Sequence, residues 1–274
     1  MIIELFGPPG AGKTTFARAL GASLQDQGHC VRVLLSYRPA EPSQSVEPCA
    51  GHVDRPRAAA VARRLIRPAI EMLALARHPV ANSHDLMTAA TLVGLLPPKQ
   101  MVWSLRMRQY IVRLSHAWRQ ASQADHIVVF DQAFVQAVCS LVSFHGREPD
   151  EALIARALDD IPKPDLLIRL DAPRETLEAR LCDRVRRQSR IERLFELHQD
   201  TNLGSTHLSD LVHEQLRKRG QPVTRVASLD QRSLHDSVRD VGKQINFEFG
   251  CPAGRSGVTT HDSSHWGLPN PIGS

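Results

Sequence analysis

Two hydrophobic patterns alternate along this chain. Short, largely apolar runs at 2–6, 30–35, 127–130, 166–170 and 223–229 read as strands, and the first is apolar enough to be buried on both faces. Between them, apolar residues recur every three or four positions, the signature of amphipathic helices. Phe16, Leu20 and Leu24 mark the first, and Gly28 supplies its stop signal. The segment 58–76, rich in Ala, Leu and Arg, reads as a second. Ser83 is a candidate N-cap for a helix over 84–96, and Pro79 and Pro97-Pro98 interrupt the region. Met101, Leu105, Ile111, Leu114 and Trp118 line one side of a helix over about 100–123. Two more helices are expected over about 174–197 and 233–245, the latter with Leu234, Val238, Val241 and Ile245 at helical spacing. Strand and helix in alternation predict an α/β fold. Past position 249 the pattern stops, and the Gly-, Ser-, Thr- and Pro-rich stretch 250–274 is expected to be a disordered tail.

The sharpest chemical signal follows the first strand. Gly7, Pro8, Pro9, Gly10, Ala11, Gly12, Lys13, Thr14 and Thr15 match G-x-x-x-x-G-K-[ST] at every fixed position. The preceding strand and following helix are the context this phosphate loop requires. Its glycines let backbone N–H groups close on phosphate oxygens, and the helix N-terminus adds a favourable dipole. Lys13 is expected to reach the β- and γ-phosphates of ATP, and Thr14 to ligate Mg²⁺.

Ligands of doubly wound sheets bind beyond the carboxyl ends of the strands. Tyr37 and Arg38, after the second strand, are therefore candidate substrate contacts; Arg38 is either a bidentate partner for a phosphate or carboxylate or a solvated loop arginine. Asp131 ends the third strand. It is expected to hold the metal, through water, or to take the proton of an attacking hydroxyl; the alternative is a helix cap. Gln132 and Gln136 are candidates for orienting the substrate. Trp103 and Tyr110 either stack on a substrate ring or belong to the core. Arg180 and Arg184 share one face of an Arg-rich helix and are candidates for closing over the triphosphate, against the alternative of a solvated face balanced by acids.

Composition narrows the setting. The 34 basic and 29 acidic residues leave a net charge of +5, suited to an anionic ligand but too small to argue for a nucleic-acid polymer. Five scattered cysteines form no CxxC motif and point to reduced thiols in a cytoplasmic setting. No apolar run approaches a membrane span, and no secretory signal is expected from the opening residues.

Taken together, these elements resemble the P-loop nucleotide and nucleoside kinase superfamily, and above all thymidylate kinases. The likeness runs over roughly 1–247 and is carried by Gly7–Thr15, Arg38-Pro39, Phe130-Asp131 and the run 164–171. It implies a P-loop NTPase fold: a doubly wound, parallel five-stranded sheet in a kinase-like domain over 1–249. A helical acceptor-side insertion would span about 52–125 and an Arg-rich lid about 174–197. It also implies phosphoryl transfer from ATP·Mg²⁺ to a small molecule, with a nucleotide or nucleoside as acceptor; a homodimer is compatible with it. Gln132 stands where thymidylate kinases carry an arginine, and the loop after Arg38 lacks the family's continuation. The alternatives are an ATPase or regulatory protein without an acceptor, and a kinase for a sugar or antibiotic. The GTP-switch motifs DxxG and NKxD do not occur.

Overall fold

The computed structural model describes residues 1–35, 83–146, 150–187, 199–227 and 229–249. Its strands are β1 (Ile2–Phe6), β2 (Val31–Leu34), β3 (Ile127–Phe130), β4 (Leu166–Asp171) and β5 (Thr224–Ala227). Among the described residues the helices are α1 (Lys13–Asp26), α2 (Ser83–Leu95), α3 (Met101–Ser122), α4 (Phe134–His145), α5 (Glu151–Asp159), α6 (Arg174–Arg187), α7 (Gln199–Lys218) and α8 (Gln231–Phe249).

The strands form one sheet in the order β2-β3-β1-β4-β5, and every pairing is parallel. Each crossover therefore carries helices, and these cover both faces. Side-chain alternation decides which residue meets which layer. Ile3, Leu5, Val129, Ile168 and Leu170 pack with Phe16, Leu20 and Leu24 of α1 and Val238, Val241 and Ile245 of α8. Ile2, Phe6, Val128, Phe130 and Leu167 turn to the other side, against α3, α4 and α7. This doubly wound α/β sheet, with the phosphate loop after its central strand, is the P-loop NTPase fold expected from the sequence.

Local chemistry sets the element ends. Helix α1 stops in a Schellman arrangement: His29 N–H reaches Leu24 O at 3.0 Å and Gly28 N–H reaches Gln25 O at 2.9 Å, with Gly28 at φ 87°. Helix α5 starts on Asp150, whose side chain accepts the Ala152 N–H at 2.9 Å. Helices α2 and α3 are pinned by fully buried Asp85, which accepts from Ser115 and Arg119, each at 2.7 Å.

All five strand runs are found. Helices α5 and α7 have no counterpart in the sequence reading. The expected helix over 174–197 is described as far as Arg187. The segments 36–82, 188–198 and 250–274, with part of the insertion, part of the lid and the tail, lie outside the described residues.

Candidate functional site

The site grows from the carboxyl end of β1. Gly7 has φ 139°, and a Cβ there would lie 2.3 Å from the carbonyl oxygen of Leu170 on β4, so only glycine lets the chain leave the sheet here. Gly10, at φ 84°, is pressed by α6, whose Leu177 carbonyl oxygen would be 3.2 Å from an added Cβ.

Lys13 opens α1 and is buried; its ammonium donates to Gly7 O at 2.7 Å and Pro8 O at 3.0 Å. The N-cap of α1 is Gly12 in the left-handed region, with no side-chain cap and no acidic residue in the first turn. A helix N-terminus left uncapped by side chains, beside a buried ammonium, fits a polyphosphate. The Thr14 hydroxyl donates to Asp131 Oδ2 at 2.8 Å, joining the first turn of α1 to the end of β3. These two oxygen side chains fit Mg²⁺, which favours hard oxygen ligands and keeps several waters. The N-cap of α4 is Ala133, two residues past Asp131.

The other expected site residues divide. Gln136, an expected substrate contact, accepts the Gly7 N–H on its Oε1 at 3.2 Å. Gln132 offers its main-chain oxygen to the Tyr110 hydroxyl at 3.5 Å. Arg180 lies against the loop, donating to Gly10 O at 3.2 Å and to Leu229 O at 2.9 Å. Arg184 is on the same helix, but its side chain is outside the described part, as are Tyr37 and Arg38 altogether. Trp103 stacks on Phe144, with centroids 4.6 Å apart, and Arg106 sits over its ring. Its ring thus has two protein partners.

Two charged residues inside the strand runs escaped the sequence reading. Glu4, in the middle of β1, has no solvent exposure and accepts the Val135 N–H on Oε1 at 2.7 Å. Burial pushes its pKa from 4.5 up to about 8, outweighing the lowering by the N–H groups of Val135, Gln136 and Phe134. Arg169 of β4, 3% exposed, donates to Asp171 at 2.8 Å and also pairs with Asp210 of α7. Asp171 is shared with Arg225 of β5 at 2.9 Å.

These groups reach their neighbours electrostatically. Burial raises the Tyr110 hydroxyl above its usual range, helped by Asp131 and Glu4. Burial drives the Cys139 thiol to about 12, with Lys13, Glu4 and Arg169 as its charged neighbours. His213 is held below the usual imidazole value by burial, then by Arg169 and Arg225. A polar seam thus runs beneath α4 at the base of the phosphate loop. In the sequence Glu4 and Arg169 are single charges inside apolar strand runs, a pattern that the exposed Arg32 and Arg225 share.

No family model and no curated protein matches the chain. Among solved structures, it is similar to deoxyadenosine kinase from M. mycoides with bound dCTP, at 14% identity and a TM-score of 0.43, over 89% of this chain and 100% of that one. The same enzyme with bound dATP gives 14% identity and a TM-score of 0.45, over 90% and 100%. At these values the likeness carries no chemistry, and the fold assignment rests on the strand order and the phosphate loop. Among the described residues, no helix is long and apolar enough to cross a membrane.

Proposed function

We propose that this chain is an ATP·Mg²⁺-dependent phosphotransferase for a small-molecule acceptor, with a nucleoside or nucleotide as the acceptor class. The observation that carries the reading is the 2.8 Å bond from Thr14 to Asp131. It brings the hydroxyl of the phosphate loop and the carboxylate of the neighbouring strand onto one spot, beside the buried Lys13 ammonium. The nucleoside or nucleotide class, and the thymidylate kinase likeness within it, rest on the resemblance of the sequence motifs.

Thr14 and Asp131 would hold Mg²⁺, which would offset the charge that gathers during transfer. The residues of the chain do the rest. Lys13 and the N–H groups of the loop hold the phosphate chain. Asp131 orients the metal's water or takes the proton of the acceptor hydroxyl. Arg38 grips an anionic group of the acceptor. Arg180 and Arg184 bring positive charge from α6; Arg180 already lies at the loop, bonded to Gly10 O and Leu229 O. Such catalysis is mostly positioning and electrostatics.

The test is a panel of nucleosides, nucleotides and sugars, each incubated with ATP and Mg²⁺ and scored for acceptor phosphorylation. Transfer to a nucleoside or nucleotide, lost in Lys13→Ala, supports the reading. Brisk ATP hydrolysis without any acceptor, and no transfer, would replace it with an ATPase.

A further inference from the structure

Gly7 is gripped from two directions. Its carbonyl oxygen receives the Lys13 ammonium at 2.7 Å, and its N–H goes to the Gln136 side chain at 3.2 Å. Gln136 is itself fixed. The residue before it, Val135, is tied by its N–H to Glu4 on β1 at 2.7 Å, and Glu4 is fully buried. Helix α4 is therefore fastened to β1 through two adjacent residues, one bonded inside the strand and one at its exit into the loop.

We propose that Gln136 is a positioning residue for the phosphate loop. Anchored through Val135 and Glu4, it sets the attitude of Gly7 and, through the Gly7 carbonyl, the aim of the Lys13 ammonium.

The argument rests on differential demand. An ammonium has three donors. Two are directed at Gly7 O and Pro8 O. A phosphate chain in the loop claims donors from the same group, so the Lys13 bonds to these carbonyls are shared or lost on binding. The tether to Gly7 N–H does not involve the phosphates and persists. While Lys13 also holds Gly7, the free loop keeps its shape if the tether is lost; once Lys13 turns to the phosphates, the tether carries more of the load and its removal costs more. Only an interaction worth more in one state than in the other shifts the binding equilibrium.

This inference rests on the phosphotransferase reading, and its experiment separates the two. ATP with Mg²⁺ is titrated calorimetrically into the full chain, into Gln136→Met, and into Ala137→Gly. Gln136→Met keeps length and bulk but removes the acceptor oxygen. Ala137→Gly weakens α4 next to Gln136 without touching Gly7. Turnover on the acceptor found above gives kcat and KM for ATP.

Gln136→Met is expected to bind ATP about tenfold more weakly, the worth of about one hydrogen bond, because the bound loop, with Lys13 drawn to the phosphates, depends on the tether more than the free loop does. KM for ATP should rise in step, with kcat within about twofold, while Ala137→Gly stays near the wild-type Kd. If Gln136→Met binds as the wild type does, or if Ala137→Gly loses as much affinity, the tether has no positioning role. If the wild type itself binds no ATP, the function reading falls first and this inference with it.

Discussion

Glu4 makes a quantitative prediction about pH. The substitution is Glu4→Gln, which keeps an Oε1 acceptor for the Val135 N–H but can never ionise. In the wild type, burial raises the carboxyl pKa from 4.5 to about 8. Below pH 4.5 the folded and unfolded chains both carry the proton, and titration contributes nothing. As pH climbs toward 8, the unfolded chain releases the proton while the folded chain keeps it. The folded state then binds more protons, so stability falls with rising pH. Above about 8 the folded chain ionises as well, and the loss levels off. The full displacement corresponds to roughly 5 kcal/mol, of which about 3 kcal/mol falls between pH 5 and pH 8. Glu4 is fully buried, so solvent screening does little to reduce this.

Urea unfolding of both proteins across that range measures it. Every other titrating group cancels in the difference between them. Glu4→Gln should be close to wild type at pH 5 and more stable by roughly 3 kcal/mol at pH 8. That is a large part of the roughly 5–15 kcal/mol that holds a domain folded. A stability difference that stays constant from pH 5 to pH 8 would show that the carboxyl does not hold its proton in the folded chain.

Three further outcomes follow from the site and the core. Lys13→Ala should lower turnover by about a hundredfold or more while circular dichroism keeps the wild-type spectrum; normal turnover would remove the phosphate loop from the chemistry. Asp131→Asn should keep the bond from Thr14, because the amide oxygen still accepts, yet raise the half-saturating Mg²⁺ concentration by about tenfold as a charged ligand is lost; an unchanged Mg²⁺ titration would place the metal elsewhere. Gly21→Ala should destabilise by about 1 kcal/mol net: alanine gains about 1 kcal/mol in helix propensity, but its Cβ would stand 2.3 Å from Val33 Cγ2, and overpacking a core costs roughly 1–3 kcal/mol. Combining it with Val33→Ala opens the space, so in the double-variant cycle the two changes should couple favourably.

What could be read from the sequence depended on whether a residue's partner was local or remote. Strands β1 and β3 were legible because a parallel strand buried on both faces is apolar at nearly every position, Glu4 being the exception in β1. The phosphate loop was legible because each fixed position is a chemical identity, not a preference. Helix α7 was hidden by its own packing. Val212 and Leu216 are buried, but so are the polar Ser209 and Gln215. The main chain of Ser209 serves Arg169, and the side chain of Gln215 bonds Glu151 at 2.7 Å. A helix whose buried face is half polar loses the periodicity that would reveal it. Helix α5 shows too little pattern for another reason: it is 9 residues long and buries Ile154, Ala157 and Leu158. For Gln136 the direction of the side chain was not legible. Its place near the loop was legible from Asp131, but whether its oxygen would face a substrate or Gly7 depended on a residue 129 positions away.

Glu4 shows how more of the site could have been read. Its neighbours Ile3 and Leu5 face an apolar layer, while Glu4 shares its side of β1 with Ile2 and Phe6. A lone carboxyl at the centre of a buried strand is costly unless donors surround it. A parallel strand spends its own N–H groups on its neighbours, so the donors must come from another element, and a helix N-terminus has N–H groups to spare. Helix α4 needs such an acceptor, because its N-cap is Ala133 and provides no side-chain bond. Each offsets part of the other's cost: the strand supplies the cap that the helix sequence omits, and the helix supplies a donor to Glu4 Oε1. The same economy explains why the polar groups gather on this side of the sheet. The layer against α1 and α8 has only to be apolar, whereas the layer under α4 must also hold Asp131, Gln136 and the exit of the phosphate loop in register. The buried charge in the central strand therefore marks the face of the sheet on which the phosphate loop is anchored.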